Sequence, residues 1–168
     1  GTDVSFVGSL YSEKNSYDDI ADKLPAYMRG YVEGLCSAQK NVYGYNFIED
    51  ALTDEWVSDF VSTVGFDPLP ADYETDLKGI IADTYLNCRC TELERKHTLD
   101  AISRHFHVDL YTQSDSSMLP HVKNRGIADS ERVMPKIFKC SKINLNMTLR
   151  SIKSGIPQRA FDIMGCGG

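Results

Sequence analysis

Arg159 and Asp162 are the two side chains whose types and spacing point most directly to chemistry. They stand three residues apart, so on a helix they share a face. Pro157 suits the first turn of such a helix, because the N–H it lacks would be unpaired there anyway. A guanidinium near that end can grip a phosphate bidentately, and the open N–H groups and the helix dipole favour the same anion. A carboxylate near a helix start is also favoured by the dipole, so a purely structural Asp162 is a second reading. Gly155-Ile156-Pro157 opens the pattern, and Phe161 and Met164 can face inward. Gly165, Gly167 and Gly168 stop it, since glycine adopts the left-handed C-terminal cap without strain.

Two other stretches lead to an anion in the same way. Ile143, Leu145 and Met147 alternate with Asn144 and Asn146, the period of one strand. A loop of small and polar residues then runs from Thr148 toward Gly155. Strand, loop, and a helix whose N–H groups face that loop is how α/β proteins make an anion site. At the far end of the chain, Val4-Ser5-Phe6-Val7 is a short strand that meets Gly8-Ser9. Glycine there lets the backbone approach a phosphate closely. Many open α/β sheets begin the same way with nothing bound, and Lys14, just beyond, reads as a ligand contact or a solvated cation.

Composition narrows the partners. The 168 residues carry a formal charge of −6, whereas a nucleic-acid surface wants a basic stripe, so no nucleic acid is expected. Cations gather at Lys123/Arg125 and at Arg150/Lys153/Arg159, which in an acidic protein suits one small anion better than a polymer. Apolar residues at 42% and charged residues at 25% are globular values, in a chain able to bury a core. No apolar run nears the roughly 20 residues that span a bilayer and no signal peptide is visible, so no transmembrane segment is expected. Cys36, Cys88, Cys90, Cys140 and Cys166 are odd in number and irregular in spacing. They read as reduced, mostly buried thiols, which points to a cytoplasmic location. Cys88-Arg89-Cys90 lacks a second cysteine pair, and His105, His107 and His121 lack suitably placed carboxylates, so neither metal nor cofactor is expected. The chain has no Asp-x-Asp and no Gly-x-x-x-x-Gly-Lys-Ser/Thr phosphate loop.

Positioning Arg159, Asp162 and Gly8 requires a sheet. From Asp18 to about Phe106 the pattern is helical. Pro25 can begin a helix with a Met28, Tyr31, Val32 and Leu35 stripe, and Phe47 to Leu52 suggests a short second one. Thr53 or Asp54 can cap a third, facing inward through Trp56, Val57, Phe60, Val61 and Val64. The GFDPLPAD loop ends that unit. A helical stretch from about Tyr73 then carries Leu77, Ile80, Ile81, Tyr85, Leu93, Leu99, Ile102 and Phe106, with a break near Cys88–Thr91. These stripes read as packing surface. Val42-Tyr43-Gly44-Tyr45-Asn46-Phe47 reads either as a packed turn or as a pocket lining. Strands follow at 107–111 and about 122–128, then a helix begun by Pro135 that packs Ile137 and Phe138, then the strand at 143–147. The order is α/β.

The C-terminal stretch INLNMTLRSIKSGIPQRAFDIMGCGG, with the opening DVSFVGSLYSEKN, resembles the donor-nucleotide segment of GT-B glycosyltransferases, in the branch related to bacterial spore-maturation (Cge-type) enzymes. The resemblance implies a Rossmann-like parallel sheet of order 3-2-1-4, a GT-B C-terminal domain with a large helical insertion after the first strand, at about 18–106. It implies that the helix after Pro157 points its N-terminus at a nucleoside-diphosphate sugar, with Asp162 holding the ribose hydroxyls. Ser154 stands where many relatives carry a first glutamate. By the same resemblance Arg125, Gly126 and Ile127 frame the nucleotide base. The implied donor-binding residues are Gly8, Ser9, Thr148, Arg159 and Asp162, at the C-terminal ends of the first and fourth strands, with Arg125, Gly126 and Ile127 from the third-strand segment. The chain then reads as a partial donor-nucleotide-binding domain, with transfer to a sugar, protein or cell-envelope acceptor. The N-terminal domain that carries the catalytic base lies outside it. A non-catalytic module whose helical insertion binds a partner protein is the other expectation.

Overall fold

The computed structural model describes residues 2–14, 16–65 and 76–168. Four strands form one parallel sheet: β1 (Thr2–Val7), β2 (Val108–Tyr111), β3 (Val122–Asn124) and β4 (Ser141–Leu145), in the order β3-β2-β1-β4. The strand pattern led to α/β, and the observed order is the Rossmann-like 3-2-1-4 that the resemblance implied. The registers Val4↔Val108, Val108↔Val122 and Val4↔Ile143 align the strands, so all four C-terminal ends lie on one edge of the sheet.

Alternation along β1 explains its central place. Val4 and Phe6 point to one face, where they join Leu10, Leu99, Val108, Leu110 and Leu119. Val7 points to the other and packs with Ile137 and Phe138. Burying a ring such as Phe138 contributes about 2–3 kcal/mol, which fixes the helix that carries it against the sheet. Ser5 is a polar residue on this second face, and it is buried because its hydroxyl donates to Asn144 Oδ1 at 2.7 Å.

The chain divides into two compact units. The sheet unit comprises Gly1–Glu13, Glu94–Thr148 and Ser154–Gly168, and the helical unit comprises Lys14–Leu93 and Leu149–Lys153. The sheet unit holds the four strands, α6 (Met134–Cys140) and α7 (Gln158–Gly165). The helical unit holds α1 (Ala26–Gln39), α2 (Ile48–Ala51), α3 (Asp54–Val64) and α4 (Leu77–Ile81). A π-helical turn at Ala82–Leu86 continues α4 into α5 (Asn87–Ser103), whose residues from Glu94 onward belong to the sheet unit.

Local chemistry sets the helix ends. Thr53 Oγ1 accepts from Trp56 N at 3.1 Å and caps α3, while Gly65 closes it at φ +72°. Asp76 Oδ1 accepts from Gly79 N at 3.0 Å and caps α4. Trp56 stacks on Phe60 with ring centroids 5.2 Å apart, inside a core of Met28, Val32, Cys36, Ile48 and Leu86. In α1 it is Cys36, not Tyr31, that completes the buried stripe, and Tyr31 donates its hydroxyl to Ala51 O at 2.5 Å.

Several boundaries differ from the sequence pattern. No break occurs at Cys88–Thr91: the hydroxyl of Thr91 bonds back to Asn87 O at 2.7 Å, so the threonine is satisfied inside α5. The irregularity falls one turn earlier, in the π-helical turn. The helix stops at Ser103, so Phe106 lies beyond it and is exposed. β3 is three residues long because Gly126 turns at φ +79°. β4 starts and ends two residues earlier than the alternation suggested, since Asn144 on the second face is tied to Ser5 and to Phe138 O. Residues 66–75, which include most of the GFDPLPAD loop and Tyr73, lie outside the described residues. In the 42–47 piece the buried Gln39 amide donates to Val42 O at 3.1 Å and Tyr45 O at 2.9 Å, and its oxygen accepts from Phe47 N. That organises a turn with Tyr43 and Tyr45 facing outward.

Candidate functional site

The site is the edge of the sheet unit where β1 and β4 end. Gly8 follows β1 directly, and its N–H donates to Tyr111 O at 3.1 Å, so the backbone stays on the ladder up to the turn. A Cβ at Gly8 would sit 3.3 Å from Phe6 Cζ and 3.9 Å from Arg95 Nη1, a tight fit that favours the glycine already there. The turn is then braced. Leu10 N donates to the buried Ser114 Oγ at 2.7 Å, and Tyr11 N donates to Ser9 Oγ at the same distance. Ser9 Oγ itself donates to Glu13 Oε1. Tyr11 has φ +69°, a left-handed conformation that a tyrosine rarely takes and that the surrounding bonds must sustain.

The residue that unites this edge is Arg95, on α5. Its Nη1 donates to Ser9 O at 2.6 Å and its Nη2 donates to Met147 O, so one guanidinium ties the segment after β1 to the segment after β4. The rings of Phe6 and Tyr11 lie 5.3 and 4.8 Å from its centre. Arg95 is 8% exposed. Burial lowers its pKa from the usual arginine value; Tyr11 and the Glu94 carboxylate work against that, and the positive charge of Arg159 adds a smaller push downward. Sequence reading passed over Arg95 because it sits in the charged run TELERKH. Its signal was the spacing: four residues from Leu99 and four from Thr91, it falls on the inner stripe of α5.

Arg159 and Asp162 are the second and fifth residues of α7. Arg159 Nη1 lies 3.0 Å from Asp162 Oδ2 and 3.0 Å from Met134 Sδ, with its guanidinium 5.7 Å from the Phe138 ring centre. The two charges therefore hold each other, with both side chains about one-third exposed. Thr148, half-buried, follows the Met147 carbonyl that Arg95 grips. So Gly8, Ser9 and Thr148 are gathered around Arg95, and Arg159 is near enough to influence its charge.

Arg125, Gly126 and Ile127 stand apart from that cluster. They follow β3, two strand spacings or about 10 Å from β1. Arg125 Nε donates to Asp109 Oδ1 at 2.8 Å, and Thr2 Oγ1 bonds the other carboxylate oxygen. Asp109 is a buried acid in the middle of β2. Burial alone would raise its pKa, but the bonds from Arg125 and Thr2 outweigh that and hold the carboxyl below its usual range. Arg125 thus serves a buried carboxylate. Gly126 N donates to Asn124 Oδ1 at 2.9 Å, and Ile127 is exposed.

Among the described residues, no group of three or more histidine, cysteine, aspartate or glutamate side chains could hold a metal ion, and no helix is long and apolar enough to cross a membrane. Of the five free cysteines, Cys36 and Cys90 are buried and Cys140 is exposed, so the thiols are less uniformly interior than their spacing suggested. Neither protein-family models, nor curated proteins, nor solved structures give a match to the chain.

Proposed function

We propose that the chain binds the donor in a GT-B glycosyltransferase, taking a nucleoside-diphosphate sugar whose glycosyl group passes to a sugar, protein or cell-envelope acceptor. In this reading the diphosphate lies over the Gly8-Ser9 turn and the start of α7, with Arg159 on a phosphate and Asp162 on the ribose. Ile127, exposed after β3, lies toward the base. The catalytic base comes from an acceptor-binding domain outside this sequence, and the enzyme works in the cytoplasm of a bacterium. The observation that supports the reading is the meeting of the Gly8-Ser9 turn and the Met147-Thr148 segment at the C-terminal ends of β1 and β4. Open α/β sheets place ligands there.

The test is calorimetric titration with a panel of nucleoside diphosphates and their parent nucleosides. Binding of one diphosphate well above its nucleoside supports the reading, and a flat response to the whole panel ends it. A second reading, a non-catalytic α/β module whose helical unit binds a partner protein, draws on the outward-facing rings of Tyr43 and Tyr45, 76% and 60% exposed. The pairing of Asp162 with Arg159 also fits it. A flat nucleotide panel would favour that alternative.

A further inference from the structure

Arg95 is an unusual cation for its surroundings. Its bonds are to two neutral carbonyl oxygens, from Ser9 and Met147, and its Nε–H is buried with no partner. A guanidinium removed from water carries a desolvation cost of several kcal/mol, normally offset by an ionised partner. Among the described residues, no carboxylate bonds Arg95. Its ring neighbours, Phe6 and Tyr11, offer only the weaker attraction of an aromatic face. The Glu94 carboxylate acts on Arg95 only through space, without a bond, and a second guanidinium, Arg159, opposes it while Asp162 answers Arg159. The chain as a whole is acidic, so this concentration of positive charge is local.

We propose that Arg95 is the anion anchor of the β1/β4 crevice: its charge, fixed between Ser9 O and Met147 O with no carboxylate bonded to it, is matched by the diphosphate of the ligand. The carbonyl bonds fix the position of the guanidinium and tie the two loops to it, so little reorganisation accompanies binding. Tyr11, in its left-handed conformation, keeps its ring on the guanidinium and water away from it. This inference rests on the nucleoside-diphosphate reading for the nature of the ligand, but requires only the diphosphate.

The experiment uses the 168-residue chain with inorganic pyrophosphate as probe, beside a nucleoside diphosphate. Titration is followed by calorimetry and by the Nε–H signal of Arg95 in nitrogen-proton spectra. The expected result is pyrophosphate binding, displacement of that signal, and a loss of about tenfold or more in affinity in Arg95→Gln. Arg95→Gln keeps an N–H donor but no charge, while Arg95→Lys, which keeps the charge, should retain more of the affinity. If Arg95→Gln does not fold, the wild-type Nε–H titration decides alone. Pyrophosphate binding that leaves the Nε–H signal unmoved overturns the anchor, as does equal affinity in Arg95→Gln. A nucleoside diphosphate that binds with Arg95 unperturbed sinks the anchor and keeps the donor reading. Pyrophosphate that binds through Arg95 as tightly as any nucleoside diphosphate keeps the anchor and sinks the donor reading. Binding of neither probe overturns both.

Discussion

Arg159 Nη1 and Asp162 Oδ2 face each other at 3.0 Å across one turn of α7, so the two residues assigned to a donor are each other's partners. This does not close the site. A pair three apart on a helix contributes about 0.2–0.5 kcal/mol, whereas each hydrogen bond from a ligand to a charged group contributes about 1.5–3 kcal/mol before desolvation is counted. A phosphate and a ribose can therefore outcompete the pair.

For Asp162→Asn, which preserves shape and one acceptor, we expect donor affinity to fall about tenfold or more, or roughly 1.4 kcal/mol. The melting temperature should hardly move, because the Arg159 pair is weak. Calorimetry and a thermal melt on the same sample check both. A large melting shift with unaltered affinity would make Asp162 a scaffold residue.

Arg159→Ala separates phosphate from nucleoside. It should weaken binding of a nucleoside diphosphate while leaving binding of the nucleoside nearly unchanged, since the guanidinium is at the start of α7, where an anion is favoured. Equal losses for both ligands would show that its contacts with Met134 and Phe138 matter more than its charge.

Arg125→Ala tests the opposite assignment. Asp109 is held ionised in the folded chain by Arg125 and Thr2, with its pKa lowered. The stability from that pairing is fully present above the ordinary aspartate value of about 3.9 and is lost as pH falls through the lower folded value. Arg125→Ala should thus melt earlier than wild type at neutral pH, and the gap should narrow below about pH 4. A gap independent of pH would separate Arg125 from Asp109, and a nucleoside-affinity loss without a melting change would return it to the site.

β4 pairs with β1 on one side, and among the described residues no strand pairs on the other. Ile143, 54% exposed, lies on this strand beside Lys142, whose ammonium reaches Asp3 at 2.6 Å. Unpaired strand edges promote association. Sedimentation should show self-association rising with concentration, and Ile143→Lys should reduce it. A wild-type monomer at every concentration would refute this.

The strands were legible because each alternates or is bounded by glycine, while the order 3-2-1-4 needed the right-handed crossover rule together with the family resemblance. Residue type narrowed the α3 cap to Thr53 or Asp54, and Thr53 is the one that accepts from Trp56 N. Arg95 was not legible, because a charged run reads as a solvated helix face until the phase of Leu99 is applied to it. The partner of Arg125 was hidden for a different reason. By residue type Arg125 reads as a surface cation beside a glycine bend, and only the parallel register shows that it meets a carboxylate, Asp109, buried in the neighbouring strand. The π-helical turn had no sequence signature at all.

The pairing of β1 has a consequence for the time course of synthesis. Its nearest strand partner, β2, lies about a hundred residues downstream, and its other partner, β4, is farther still. At about 5–20 residues per second on a ribosome, β1 waits roughly 5–20 seconds for β2 to emerge. Throughout that interval Val4, Phe6 and Val7, all destined for the core, have nothing to pair with. The helical unit, built mostly from the intervening residues, has its own core and can condense meanwhile. Within this sequence β1 is therefore the segment left waiting longest, and chaperones that shield extended apolar segments would act on it during that interval.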